Sequence, residues 1–306
     1  MDDLDFVGAP TTPPPKTPPA PAARPVRKSE PSPLYDAKLA LDFFKLAGTA
    51  EQFPVGATIF EEGEKTRGLF SKGARVYLLL DGGVALTRQG KPLDLVMPGE
   101  IFGEMAVIAE TPRSASASAW KNSRVLSLDE KQFLNSLQQI PEFALMLIAI
   151  MAQRLHRSVA KLIGSQQSPS QARVNKNTLD KKLLADLRSE LGDPPLSRMQ
   201  AGGAIVMQGA TGVFMYVVVE GRIAIAASGR TLEYVESGGV FGEMALIDNA
   251  GRAASATAET ASAWFVVARN DLLSLVAAKP SFGIALLRSM SERIRHIGDL
   301  LCAEKS

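Results

Sequence analysis

Two stretches of the chain carry the same pattern: PGEIFGEMAVIAETPRSA at residues 98–115 and GVFGEMALIDNAGRAA at residues 239–254. In each, an arginine follows nine residues after the glutamate of Phe-Gly-Glu-Met-Ala. The glycine lets backbone N–H groups approach a ligand that a Cβ atom would exclude, and the residues after it suit one helical turn, whose first N–H groups can face an anion. An arginine fork suits phosphate oxygens, and a carboxylate suits sugar hydroxyls. The pattern predicts a pocket for a singly charged ribose phosphate.

The pattern belongs to a longer repeat that covers most of the chain. Matching residues lie 139 positions apart, and they include Tyr77/Tyr216, Gly82/Gly221, Phe102/Phe241, Arg113/Arg252, Pro141/Pro280 and Arg154/Arg293. Upstream, GATIFEEG at 56–63 matches GGAIVMQG at 202–209 with an offset of 146, which predicts a seven-residue insertion within 64–74 of the first copy. Solenoid repeats have periods of only about 20–50 residues, so this spacing indicates duplication of a whole domain.

Each copy has the same order of predicted elements. A helical pattern comes first, at 35–46 and 178–191, and short β-type segments separated by glycine turns follow, at 76–80 and 84–87 and at 215–219 and 223–226. Asp-Gly between apolar runs favours a hairpin. A long apolar helix behind a proline ends each copy, at 141–163 and 280–301, and its apolar stripe predicts burial against a neighbour.

This order predicts a mainly β fold with flanking helices, built as two tandem β-rolls of the jelly-roll type. Residues 1–34 are rich in proline and are expected to form a disordered tail, because they cannot bury enough apolar surface. Domain 1 is expected at 35–165, a polar linker at 166–176, and domain 2 at 177–306.

With these residues in view, the sequence resembles the cyclic nucleotide-binding domain family, over about 35–165 and 177–306. The repeated pattern is similar to that family's phosphate-binding cassette, with Val107 in place of leucine in the first copy and Gly251 in place of proline in the second. The resemblance implies that Glu104 and Glu243 accept from the ribose 2′-hydroxyl. It implies that Arg113 and Arg252 pair with the cyclic phosphate.

The resemblance also implies which neighbours form the two binding sites. Backbone at the glycines and the Met-Ala pairs would cradle the phosphate, and Ser114 could add a hydroxyl contact that Ala253 cannot. The full set of predicted binding residues is Phe102, Gly103, Glu104, Met105, Ala106, Arg113, Ser114, Ala115, Phe241, Gly242, Glu243, Met244, Ala245, Arg252, Ala253 and Ala254.

The composition excludes several other classes of protein. Lys and Arg number 34 against 32 Asp and Glu, a balance that indicates neither a nucleic acid nor an anionic membrane as partner. The single cysteine, Cys302, excludes an internal disulfide and a thiolate metal site. The longest apolar run, 143–152, is about half of what a membrane-spanning helix needs. The N-terminus is acidic and does not resemble a signal peptide, so we expect a cytoplasmic protein.

Catalysis is not expected. Two histidines, His156 and His296, sit among arginines on the long helices, where we expect a solvated face and no metal or catalytic role. Trp120 and Trp264 are expected to pack in strands after the cassettes. No catalytic residue, metal site or cofactor is predicted.

The sequence therefore predicts a non-catalytic receptor for cAMP that regulates a protein partner of unknown identity, in the manner of cyclic nucleotide-dependent kinase regulatory subunits. The long helices also allow a homodimer that pairs through them. The alternatives are a transcription regulator of the catabolite activator type that lacks its own helix-turn-helix, and a receptor for cGMP or a cyclic dinucleotide. Family members that favour cGMP often carry threonine after the cassette arginine, so Ala253 favours cAMP at the second site, while Ser114 leaves the first site open.

Overall fold

The computed structural model describes residues 35–66, 73–164, 172–175, 178–248 and 251–303. The proline-rich segment 1–34, most of the predicted linker and the middle of the predicted insertion lie outside these residues.

The described residues of the first half form four helices and eight strands, in the predicted order. They are α1 (Ala37–Lys45), β1 (Thr49–Phe53), β2 (Thr58–Phe60), β3 (Arg75–Asp81), β4 (Val84–Arg88), β5 (Lys91–Val96), β6 (Ile101–Phe102), α2 (Glu104–Ala109), β7 (Ser116–Ala119), β8 (Ser123–Asp129), α3 (Glu130–Gln139) and α4 (Pro141–Gly164).

The second half repeats this order after one additional strand. Its elements are β9 (Arg173–Asn175), α5 (Lys181–Glu190), β10 (Ser197–Met199), β11 (Ala204–Val206), β12 (Phe214–Glu220), β13 (Arg222–Ala227), β14 (Arg230–Glu236), β15 (Val240–Phe241), α6 (Glu243–Asp248), β16 (Ser255–Ala258), β17 (Ser262–Ala268), α7 (Arg269–Ala278) and α8 (Pro280–Ala303).

Each half is a β-roll of two sheets. In the first half the strand orders are β1-β8-β3-β6 and β2-β7-β4-β5, and in the second half they are β10-β17-β12-β15 and β11-β16-β13-β14-β9. All pairings in these sheets are antiparallel except the parallel pairing of β14 with β9. The predicted mainly β fold of two tandem rolls with flanking helices is confirmed.

The glycine turns sit where the hairpin signals predict them. Gly82 joins β3 to β4 and Gly221 joins β12 to β13, both with positive φ, at 99° and 84°. A Cβ atom at either position would lie within 2.4 Å of a backbone oxygen, of Asn122 or of Ala261. Only glycine satisfies both constraints, so the repeated glycine fixes the hairpin in both halves.

The predicted linker is wrong at its C-terminal end. Arg173, Val174 and Asn175 form β9, which pairs with Glu233, Tyr234 and Val235 of β14. The polar composition of 166–176 favours a linker, but the edge of the second roll offers unpaired backbone groups that this segment satisfies. The second half therefore begins before residue 177.

The two long helices, α4 and α8, which we call the closing helices, pack on each other inside one chain. Gly283 lies against Ala144, its match in the repeat, and Ser291 lies against Met151 further along. Contacts that advance together along both helices show that the helices run parallel. The predicted burial of their apolar stripes is confirmed, and the neighbour is the other closing helix.

Helix α4 also has the length and apolar content of a membrane-crossing helix, although its longest uninterrupted apolar run is short. It is the one such helix in the described part of the chain, unless the sharply bent pair α7 and α8 is counted as one span. Of its most apolar window, 56% is buried inside the fold. Packing against α8 accounts for its apolar character.

A large hydrophobic core spans both halves. It includes Phe43, Phe133 and Phe143 from the first half and Phe265 and Phe282 from the second, all fully buried. Each β-roll has a smaller core of its own, around Tyr77 in the first half and around Trp264 in the second.

Candidate functional site

The predicted cassette helices form at the predicted places. Helix α2 begins at Glu104, directly after Gly103, which has a left-handed φ of 81°. A Cβ atom at Gly103 would lie 2.9 Å from a guanidinium nitrogen of Arg113, and Gly242 stands in the same relation to Arg252 at 2.7 Å. The positive φ favours glycine at both positions, and a Cβ atom there would also displace the arginine.

Each cassette arginine folds back onto the backbone beside its own glycine. In Arg113, Nη1 donates to the Gly103 carbonyl at 2.9 Å and Nη2 to the Arg75 carbonyl at 3.0 Å. In Arg252, Nη1 donates to the Gly242 carbonyl at 2.9 Å and Nη2 to the Phe214 carbonyl at 2.8 Å. The same geometry therefore occurs in both halves.

The two guanidinium groups are buried cations. Arg113 is 5% exposed and Arg252 is 6% exposed. Burial lowers the pKa of Arg113, while the charges of neighbouring Tyr77 and Glu64 act in the opposite direction. Among the described residues, no carboxylate lies within ion-pair distance of either arginine. A buried cation bonded only to neutral carbonyls is suited to holding an anion.

Each cassette glutamate pairs with an arginine of the closing helix of its own half. Arg154 on α4 pairs with Glu104, and Arg293 on α8 pairs with Glu243 at 2.6 Å. Arg154 keeps 41% of its side chain exposed, whereas Arg293 keeps 7%. The second pair is therefore the more enclosed of the two.

In the second half, one carboxylate oxygen stays unused. Oε1 of Glu243 accepts from Arg293, while Oε2 is buried and has no hydrogen-bond partner among the described residues. Glu243 as a whole is 1% exposed. A buried acceptor without a partner is costly, so this oxygen is available to a donor from a ligand.

A cavity in the second half collects the predicted residues. Its walls include Phe241, Gly242, Glu243, Met244, Arg252, Ala253 and Ala254. Leu155 and Val159 of α4 also line it, together with Arg293, His296 and Ile297 of α8. The cavity is thus covered by both closing helices, one of which belongs to the other half.

Charged side chains that pair with one another line part of this cavity. Arg293 also pairs with Glu233 on β14 at 2.9 Å, and Arg173 on β9 pairs with Glu233 at 3.6 Å and with Glu292. Burial alone would lower the pKa of Arg293, but Glu233 and Glu243 raise it above its ordinary value. Strand β9 therefore contributes a charged residue to the site.

The predicted solvated face for His296 is wrong. His296 lines the cavity, and its Nε2 is buried without a hydrogen-bond partner among the described residues. Burial lowers its pKa, and the positive charge of Arg173 lowers it further. The reason is that α4 and β9 cover a helix face that sequence periodicity alone leaves open to solvent.

The other predicted residues take up mixed positions. Phe102 stacks on Tyr77 at 5.0 Å and Phe241 on Tyr216 at 4.7 Å, so both aromatic rings pack in the core of their rolls. In the first half, Ala106 and Ala115 are buried, and Met105 and Ser114 are half-buried. The side chain of Ala245 lies outside the described residues.

Several residues of the site are not predicted by the sequence pattern. Arg154 and Arg293 match each other in the repeat, which marks them as candidates. The repeat does not indicate that they pair with Glu104 and Glu243. Glu233, Arg173 and Leu155 reach the site from distant elements, and no local motif marks them. Trp264 packs in β17 as predicted, whereas Trp120 follows β7 instead of lying inside a strand.

A metal site finds no support in the described part of the chain. No group of three or more His, Cys, Asp and Glu side chains there is placed to hold a metal ion.

Comparison with known proteins finds a match in each half of the chain. The sequence profile of the cyclic nucleotide-binding domain matches residues 50–140 and 196–279, one region in each half. The cyclic AMP receptor protein of Thermus thermophilus is 33% identical over 142 residues, which cover 43% of this chain and 61% of that protein. The cAMP-dependent protein kinase regulatory subunit of Yarrowia lipolytica is 26% identical over 207 residues, 65% of this chain and 48% of that one.

These matches span about half of the length of the curated relatives. Among solved structures, the regulatory domain of Toxoplasma gondii PKA with cAMP is 20% identical and covers 88% of this chain and 89% of that chain, with a TM-score of 0.28. A superposition at that score does not bear on how the two halves are arranged here.

Proposed function

The chain belongs to the cyclic nucleotide-binding domain family, and from that premise we propose that it is a non-catalytic receptor for cAMP that regulates a partner protein through its closing helices. Both halves would bind one nucleotide each. Arg113 and Arg252 would hold the cyclic phosphate, and Glu104 and Glu243 would accept from the ribose 2′-hydroxyl.

Two buried arginines that have no carboxylate partner among the described residues support this proposal most directly. Each lies beside the first turn of a cassette helix, where backbone N–H groups are free to donate to an anion. One phosphate charge would compensate the desolvated guanidinium, whose described hydrogen bonds go to neutral carbonyls. The unused Oε2 of Glu243 supplies the matching acceptor for a sugar hydroxyl in the second half.

The choice of cAMP rests on the second cavity and on the relatives. Ala253 lines that cavity and offers no hydroxyl to a guanine amino group. Two relatives that match the chain carry cAMP in their names. cGMP is the ligand to test beside it, because Ser114 can supply a hydroxyl in the first half.

Signalling through the closing helices is supported by their direct contact with the cassettes. Arg154 of α4 and Arg293 of α8 hold the two glutamates that the ribose would engage. A nucleotide that engages Glu104 or Glu243 must therefore share it with a closing-helix arginine. Its effect on helix packing is limited by how much better it binds one arrangement than the other.

Calorimetric titration of the full chain with cAMP, cGMP and cyclic di-AMP tests the proposal. We expect two molecules of cAMP per chain, with weaker binding of the other two. Absence of binding by all three would overturn the receptor function. A stoichiometry of one nucleotide per chain would show that the second half is not a binding site.

Hydrogen exchange with and without cAMP tests the signalling step. We expect changes over 141–164 and 280–301 as well as in the cassettes. Changes confined to 102–114 and 241–253 would describe a binder without a switch.

A further inference from the structure

Helix α8 of the second half reaches across to the cassette of the first half. Nε of Arg288 donates to the Ile108 carbonyl at 3.3 Å, and its Nη2 pairs with the Glu110 carboxylate. Ile108 and Glu110 form the C-terminal end of α2, the helix that begins at Glu104. A guanidinium at a helix C-terminus satisfies its last carbonyls and interacts favourably with the helix dipole.

The contact holds a backbone conformation that is otherwise unfavourable. Glu110 caps α2 with φ 54° and ψ 38°, the left-handed region that a glutamate rarely occupies. Backbone N–H groups of Glu110 and Thr111 close this turn on the Ala106 carbonyl, and Arg288 adds a charged contact to the carboxylate of the same residue.

The same helix also holds the second site. Arg293 lies five residues after Arg288 on α8 and pairs with Glu243. Five residues of helix span about 7.5 Å, and a helix moves over that distance as one unit. A shift of Arg293 on nucleotide binding at Glu243 would therefore also displace Arg288 and the end of α2.

Helix α4 of the first half has no arginine at the position that matches Arg288. Ala149 occupies the position in α4 that Arg288 occupies in α8. In the described part of the chain, the ion pairs that join the two halves are Arg288 with Glu110 and Asp299 with Arg88, and both use α8. The closing helix of the second half thus makes charged contacts to the first half that the repeat does not reproduce.

We propose that Arg288 is a positioning residue of the first site, through which nucleotide binding at the two sites becomes interdependent. This rests on the proposed function, because it needs two nucleotide sites. Arg288 touches no predicted ligand position and acts through α2, whose first residue is the ribose-binding Glu104. Arg288 is 41% exposed and Glu110 27% exposed, so solvent screens the pair and the coupling is modest.

The test compares the affinity of the first site for cAMP with the second site filled and with it disabled. The unmodified chain supplies the first value, and the Arg252→Ala chain supplies the second. We expect these two affinities to differ by about fivefold, the lower end of typical coupling between sites. In the Arg288→Met background we expect the difference to fall below about twofold. Arg288→Lys, which keeps the charge, should restore part of it.

Hydrogen exchange separates coupling from a merely structural role, because a residue that only supports the fold would not alter the exchange change that cAMP causes. In the Arg113→Ala chain, whose first site is disabled, cAMP can fill only the second site. We expect that binding to change exchange over 104–110, and we expect Arg288→Met to abolish the change. The exchanged pair Glu110→Arg with Arg288→Glu restores opposite charges and should recover it.

Arg198→Met is the matched control, because Arg198 forms an exposed ion pair with Glu220 on the second roll. It should leave the coupling unchanged. Absence of cAMP binding at both sites would overturn the proposed function and this inference together. Two sites that bind independently, or coupling that persists in Arg288→Met, would overturn this inference alone and leave the receptor intact.

Discussion

At the scale of single residues, the cassette arginines join the site to the strands beneath it. Arg113 links the glycine turn before α2 to the start of β3, and its guanidinium lies 4.1 Å from the centre of the Phe60 ring. Arg252 makes the corresponding links in the second half, 5.3 Å from the ring of Tyr216. Each arginine therefore serves both the fold of the loop and the charge of the pocket.

Replacing these arginines should weaken each site separately. Arg113→Ala and Arg252→Ala remove a charge-assisted phosphate contact, so we expect each to cost about 2–3 kcal/mol at its own site, roughly 30- to 150-fold in affinity for cAMP. Calorimetry on both variants measures this. Both should also unfold at lower denaturant concentration, because two carbonyls lose their partners. Unchanged affinity at the altered site would contradict the assigned role.

His296 should make the stability of the second half depend on pH. Burial, and then Arg173, lower its pKa in the folded chain, although Glu233 and Asp299 act in the opposite direction. Below the ordinary histidine pKa of about 6.5 the unfolded chain binds a proton more readily than the folded chain, so this residue reduces stability as pH falls through that range. At pH 7.5 it has no such effect.

Urea unfolding at pH 5.5 and 7.5 measures this effect. The difference in unfolding free energy between the two pH values should be smaller in His296→Gln than in the unmodified chain. An equal difference in both chains would show that folding does not lower the pKa of His296.

At the scale of secondary-structure elements, the loop between β11 and β12 shapes the second site without contributing a predicted binding residue. A Cβ atom on Gly212 would lie 2.2 Å from Nε of Arg252. The backbone of Gly212 does not have a positive φ, so alanine is unfavourable there only because of this contact. The loop therefore sets where the guanidinium lies.

Gly212→Ala should displace the guanidinium of Arg252 while the fold persists, because the crowded atoms are the end of a flexible side chain. We expect a loss of about tenfold in cAMP affinity at the second site, about 1.4 kcal/mol, with the first site unaffected. Gly164→Ala is the control, because a Cβ atom there meets nothing within 4 Å. A normal second site in Gly212→Ala would show that Arg252 tolerates displacement.

The elements themselves follow from local sequence more closely than their contacts do. Asp81-Gly82 and the prolines at 141 and 280 mark hairpins and helix starts with signals that act over a few residues. Strand β9 was missed because its pairing with β14 is decided by an edge some 60 residues away. The cavity contact of Arg173 depends on the same pairing of β9 with β14, and that of Leu155 depends on how the halves meet, so no local motif predicts either.

At the scale of the whole molecule, the shared core makes the two halves one folding unit. The core around the closing helices includes Leu147 and Leu286, one from each half and both fully buried. Apolar surface that is buried between the halves cannot be exposed by unfolding one of them alone without a large cost.

Leu286→Ala should therefore destabilise both halves together, by about 2–5 kcal/mol. The chain has two tryptophans, Trp120 in the first half and Trp264 in the second, so Trp120→Phe and Trp264→Phe chains report on one half each. Fluorescence during urea unfolding should give the same midpoint for both reporters, and Leu286→Ala should shift both. Two separate midpoints, with only the second shifted, would contradict the shared core.

The parallel pairing of α4 with α8 inside one polypeptide has a consequence for how the protein behaves on dilution. Two separate copies of such a roll would meet through a bimolecular equilibrium and would come apart as their concentration falls. Here the end of α4 at Gly164 and the start of β9 at Arg173 are joined covalently, and nine residues reach at most about 30 Å, which holds the partner helices at an effective concentration in the millimolar range. The pairing of the two closing helices is then the same at nanomolar as at micromolar protein.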